Sequence, residues 1–210
     1  MIKMMNEKVK KPQSSVAFGL GFNENTYRVK GEVFIKLDDN EIKVDNVYTL
    51  DGSLLASILF SGQYPTRTAI TMLAVGTGAT GTSLVPSIAD QRQRRLNTEL
   101  ERKTFASVVF RNPTTFAVST IPTNVVDFTT VFNEGEAVGA LNEMGLLSPF
   151  SSSPSTTTPL LDGSGDPVSF PDYDTTLDVS DYDILINYLT FPVINKPSNS
   201  VLAITWRLTF

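Results

Sequence analysis

Hydrophobic and polar residues alternate strictly over residues 201–210, at the end of the chain. Leu202, Ile204, Trp206, Leu208 and Phe210 fall on one face of an extended segment, with Val201, Ala203, Thr205, Arg207 and Thr209 on the other. Burying five large side chains on one face contributes roughly 1.5–3 kcal/mol each. A core strand is therefore expected here, with the sheet forming around it. The two-residue period also runs through 27–37, with Tyr27, Val29, Gly31, Val33, Ile35 and Leu37 on one side. Asp38-Asp39-Asn40 supplies turn chemistry and Ile42 and Val44 begin a returning strand, so a hairpin is predicted over 27–48.

The period then changes. Leu54, Leu55, Ile58 and Leu59 recur at helical spacing after Asp51, with Gly62 as a stop, and predict one short helix. An apolar strand is expected at 68–75, followed by a Gly/Thr-rich loop at 76–83. The most charged stretch, 90–103, reads as a short helix or a surface connection. Residues 104–110 and 116–121 resemble a hairpin turning at Asn112-Pro113. Residues 125–132 form another strand, with Val126, Phe128, Thr130 and Phe132 sharing a face. A strand at 182–191 and a turn at 195–200 lead into the last one. Many short strands at this spacing predict a mainly β fold, an antiparallel β-sandwich or jelly roll with one or two short helices. The chain divides into a flexible N-terminal arm, 1–22, and a single β-rich domain, 23–210, with an exposed Ser/Thr/Pro-rich loop at 148–166.

Composition narrows the function. The 210 residues are 41% hydrophobic, enough for one sizeable core. Neither cysteine nor histidine occurs, which removes disulfides, Ser-His and Cys-His pairs and the usual zinc and iron ligands. With His so often the general acid or base, a non-enzymatic role without cofactor is expected. A net charge of −5 argues against a general nucleic-acid binder. No apolar run approaches the ~18 residues of a membrane helix, and no export signal is recognisable, so neither membrane nor export is expected.

Each local motif has a bland reading that outweighs the chemical one. Gly76-Thr-Gly78-Ala-Thr-Gly81 matches the dinucleotide-binding pattern, but Pro86 follows where a helix would have to run. A loop using φ > 0 at its glycines is the expected form. Asp162, Asp166, Asp172, Asp174, Asp178, Asp181 and Asp183 form an acidic segment that fits no EF-hand, and no metal site is assigned. Glu134, Glu136 and Glu143 offer carboxylates for acid–base work, but nothing sets them across a cleft. Arg92, Arg94 and Arg95, with Arg102 and Lys103, stand beside Glu99 and Glu101; this mixed-sign stripe suits a salt-bridged subunit contact. In the arm, Lys8, Lys10 and Lys11 form a basic cluster, and Phe18 and Phe22 belong to an alternating stretch, 14–22, that could add to a neighbour's sheet edge. These eight residues, Lys8, Lys10, Lys11, Phe18, Phe22, Arg92, Arg94 and Arg95, are the candidate protein-interface positions.

The order of several segments resembles tailed-bacteriophage virion proteins of the head-decoration, collar and tail-fibre kind. The resemblance lies in Ala74-Val-Gly-Thr-Gly78 and Leu96-x-x-Glu99-x-x-Arg102-Lys103, then Val126-x-Phe128 leading to Phe132-x-x-Gly135. It continues through Gly139-x-Leu141-x-Glu143-x-Gly145 and Phe191-Pro192-x-Ile194-x-Lys196 to the closing tryptophan strand. It implies a non-enzymatic virion subunit, assembled in the host cytoplasm, often trimeric, whose partners are the major capsid protein or other virion proteins. A compact subunit with a basic arm suits a capsid decoration or cement protein. A tail, collar or baseplate adaptor is the alternative, and a receptor- or glycan-binding module a third.

Overall fold

The computed structural model describes residues 29–62, 69–149 and 183–210. In chain order the elements are β1 (Lys30–Leu37), β2 (Asn40–Asp45), β3 (Val47–Tyr48), α1 (Leu50–Ser61), β4 (Met72–Gly76) and β5 (Glu99–Thr104). They continue with β6 (Ser107–Phe110), β7 (Val125–Phe132), β8 (Gly139–Ser148), β9 (Ile184–Lys196) and β10 (Leu202–Thr209). The strands form two five-stranded antiparallel sheets, ordered β2-β1-β10-β7-β6 and β3-β9-β8-β4-β5. The chain changes sheet at β2–β3, β5–β6, β7–β8 and β9–β10. The fold is mainly β, an antiparallel sandwich.

β10 is the central strand of the first sheet, paired to β1 on one side and β7 on the other. Leu202, Ile204, Trp206 and Leu208 are each at most 1% exposed. They meet Val33 and Ile35 of β1, Leu73 and Val75 of β4, and Met144 and Leu146 of β8 in one core between the sheets. The alternation is thus the packing pattern of a strand with one covered face. Phe210 departs from it. It lies one residue past β10, more than half exposed, and its backbone is held by Asn124, whose carbonyl accepts the Phe210 N–H and whose side chain donates to the Phe210 carbonyl.

The first hairpin pairs β1 with β2 and turns at Asp38, which adopts φ 51°. Residues 27 and 28 lie outside the described residues. The helix forms where its spacing predicts. Thr49 caps it, accepting a hydrogen bond from Gly52 N at 3.0 Å, and Gly62 ends it at φ 64°. The Thr49 hydroxyl also lies 3.1 Å from the Ile186 carbonyl, tying the helix start to β9, while Leu55 and Ile58 pack on Ile184 and Ile186. A Cβ at Gly52 would come within 2.8 Å of the Ile186 carbonyl, so only glycine allows this approach.

Four further expectations change. The charged stretch 90–103 contains no helix; it is a turn-rich segment leading into β5. The expected strand 104–110 is divided, because the chain passes from β5 in one sheet to β6 in the other. The returning strand at 116–121 shrinks to a bridge between Arg111 and Val118, with Phe116 at φ 56° closing a turn built on the Asn112 side chain. β9 also runs past Pro192 to Lys196, because the β8–β9 register shifts between Leu141 and Glu143 and leaves 191–193 unpaired, at a bulge where a proline without its donor is tolerated. The arm and most of the 148–166 loop lie outside the described residues.

Candidate functional site

The long connection between β4 and β5 crosses the outer face of the second sheet, and one carboxylate holds it there. Glu143 projects outward from β8 and is fully buried beneath the connection. Its Oε1 accepts from the amides of Gly78 at 2.9 Å and Thr98 at 2.8 Å. Its Oε2 accepts from the Asn97 amide at 3.0 Å and the Tyr188 hydroxyl at 2.7 Å. Four donors match the acceptor capacity of a carboxylate, which explains how a charge can sit there. Tyr188 is pushed far above the ordinary phenol range by its burial and then by the Glu143 charge and hydrogen bond, so it stays a donor.

The glycine-rich motif is explained by the same contact. A Cβ at Gly76 would lie 2.5 Å from the Thr98 carbonyl, and one at Gly78 would lie 2.4 Å from the Thr98 amide and 2.7 Å from Glu143 Oε1. Of the three glycines only Gly81, at φ 100°, needs a positive φ. No helix starts here. The backbone amide that a dinucleotide fold would aim at phosphate is aimed at the chain's own carboxylate.

Beyond Gly78 the connection makes a pinned knuckle. Asn142 exchanges two hydrogen bonds with Ala79, both at 3.0 Å. Ser87 N donates to the Thr80 carbonyl, Thr82 N to the Val85 carbonyl at 2.8 Å, and Val193 N of β9 to the Ser83 carbonyl at 2.9 Å. The Thr190 hydroxyl donates to the Ser87 carbonyl. This bonded frame displays Leu84, Val85 and Ile88 at 80%, 71% and 95% exposure. Three apolar side chains on a braced loop lose little freedom when covered, which is the property of a binding anchor. Sequence reading missed them, because Ser83-Leu-Val-Pro86 has no period to assign a face.

The predicted interface residues fare differently. Lys8, Lys10, Lys11, Phe18 and Phe22 lie outside the described residues. Arg92 forms a two-pronged pair with the exposed Asp90, and Arg94 lies 3.4 Å from buried Asp51 in the first turn of α1. Arg95 has its Nε buried with no hydrogen-bond partner among the described residues, and burial lowers its pKa. Arg102 is buried between Glu99 and Asp183. Burial would lower its pKa, but hydrogen bonds and charges of the two carboxylates raise it instead. Asp183 is the described member of the acidic segment, the others lying outside the described residues. No group of three metal-ligating side chains occurs among the described residues. Glu136 pairs with Lys103 and accepts from Asn133 N at 2.7 Å, far from the role of Glu143, so these two carboxylates do not face each other as an acid–base pair.

Two further charged groups escaped the sequence reading. Asp127 of β7, 2% exposed, binds both Arg111 and Arg207, and Arg207 lies over the rings of Phe34 and Phe116 at 5.3 and 4.6 Å. Lys196, equally buried, donates to the carbonyls of Asn133 and Ser200 and joins the two sheet-changing turns at that end. In each case the sequence shows only a charge within an apolar strand.

The acid side of the stability profile follows from two surface pairs. Asp90 is lowered to about 2 by hydrogen bonds from Arg92, and Glu136 is lowered by hydrogen bonds from Lys103 and the Asn133 amide. Both bind protons less readily folded than unfolded, so their contribution is present above the unfolded value and is lost as pH falls through the folded one. Glu99, raised chiefly by burial, acts in the opposite sense. Urea midpoints should fall between about pH 4.5 and about pH 2, and Glu136→Gln should flatten the upper part of that fall.

No protein-family model matches the chain, and no curated protein matches it either.

Proposed function

We propose that this chain is a non-enzymatic structural subunit of a bacteriophage virion, a capsid decoration or cement protein that acts as a homo-oligomer, a trimer as is often found among the proteins it resembles. The observation that carries this is the knuckle: a rigidly braced loop presenting Leu84, Val85 and Ile88 to solvent. Exposed apolar groups on a fixed frame suit a protein partner and offer nothing to a reacting small molecule. The engagement of Glu143, Asp127, Glu99 and Lys196 in holding the fold supports the same reading. The acidic net charge is compatible with the outer surface of a shell, away from the genome.

The test is co-sedimentation of the purified full chain with empty heads of the phage that encodes it. Ile88→Asp places a charge at the most exposed of the three positions. It should leave the thermal midpoint unchanged and weaken binding at least tenfold, since losing one buried anchor costs on the order of 2 kcal/mol. Unchanged binding by a triple variant with Leu84, Val85 and Ile88 all replaced by Asp would refute the knuckle as the contact.

A further inference from the structure

The sandwich has four sheet edges, and three are protected against pairing with another chain. β2 carries Glu41, Lys43 and Asp45; β5 carries Glu99, Glu101, Arg102 and Lys103; β3 is two residues long. β6 reads Ser-Val-Val-Phe and has no charge. Among the described residues its outer side is met only near Phe110, by the Ser119 amide and the Arg111–Val118 bridge. The first sheet also overhangs here. Val108 and Phe110 pair with Phe128 and Val126 and so point to the core side, yet Val108 is 52% and Phe110 38% exposed. Val118 and Ile121, in the connection that follows β6, are also exposed. An edge of this kind is a template for an added strand.

The sequence contains a strand-like segment that matches it. Residues 14–22 place Val16, Phe18, Leu20 and Phe22 on one side and Ala17, Gly19 and Gly21 on the other. The large side would cover the overhang at Val108 and Phe110. The small side adds no bulk to the outer face. We infer that residues 14–22 of one copy add as an antiparallel strand to β6 of a second copy.

Exchange between copies, rather than closure within one chain, rests on the homo-oligomer proposed above. The described chain enters β1 at the end where Lys30 opposes Thr209, in line with Val125 and the Phe110 end of β6. A strand beyond β6 lies four spacings from β1, about 19 Å. Antiparallel addition puts residue 22 at the opposite, Ser107 end, so a connection within one chain would span roughly 23 Å. Residue 22 and Lys30 are eight steps apart, a reach of about 26–29 Å when fully stretched, so a link within one chain would have to run nearly extended. A second copy has no such limit, and exchange closes either a dimer or a ring.

The absence of native cysteine makes the test direct. Two full-length single-cysteine variants, Gly19→Cys and Val109→Cys, are mixed in equal amounts and treated with a short bismaleimide. The expected product is a heterodimer cross-linked between the two sites, in several-fold excess over a Gly19→Cys mixture with Ser57→Cys on α1. Cross-linking no higher than that control, or cross-linking only within a chain carrying both cysteines, overturns the inference. In sedimentation velocity, Val108→Lys and, separately, Phe18→Asp should convert the oligomer to monomer. An unmodified chain that is already monomeric, or variants that stay oligomeric, overturn it as well. Head binding through the knuckle is read separately with Ile88→Asp, so either idea can fail alone.

Discussion

Glu143→Ala is expected to lower the thermal midpoint by about 6–20 °C, from a loss of roughly 3–5 kcal/mol in a domain of this size. The substitution removes every acceptor used by the amides of Gly78, Asn97 and Thr98 and by the Tyr188 hydroxyl. Those donors then sit unpaired under the connection, at the desolvation cost that makes one-sided deletions severe. The damage should be local before it is global. Hydrogen exchange is the measurement: the amides of Gly78, Asn97 and Thr98 should lose protection while those of β10 keep it. Equal protection in both proteins would mean that the connection is held by its apolar contacts at Leu96 and Met72 instead.

Trp206→Ala should be as costly, about 3–5 kcal/mol for a fully buried aromatic, but with a different signature. Trp206 faces Val33 and Phe128 across its two neighbouring strands and touches the core shared by both sheets. The cavity weakens both layers together, so exchange should accelerate in β1, β7, β8 and β10 alike. Trp206 lies in the core between the sheets and Glu143 on the outer face of the second sheet, and they share no partner, so their effects should add. The unsubstituted protein offers a simple check: Trp206 fluorescence should be blue-shifted and resist acrylamide quenching. Ready quenching would place the residue in solvent.

Local patterns carried much of the fold into view. β10 keeps one covered face, so its period survives in the sequence, and α1 is marked by Thr49, Asp51 and Gly62 at its ends. β5 stayed hidden because its outward residue Arg102 is buried and paired with Glu99 and Asp183. A strand with a buried arginine looks like a surface stretch when only polarity is read. Glu143 was visible as a carboxylate, but its role depends on amides 45 to 65 residues away in sequence. The knuckle was illegible for the opposite reason: Leu84, Val85 and Ile88 are apolar and exposed, which reverses the rule by which apolar positions are assigned inward.

A low-resolution map of the particle with this subunit located tests the proposed role most directly. Density repeated over the outer surface of the head, with the 84–88 end against the shell, is the predicted result. Density confined to the tail or neck, or none on the particle, would contradict it.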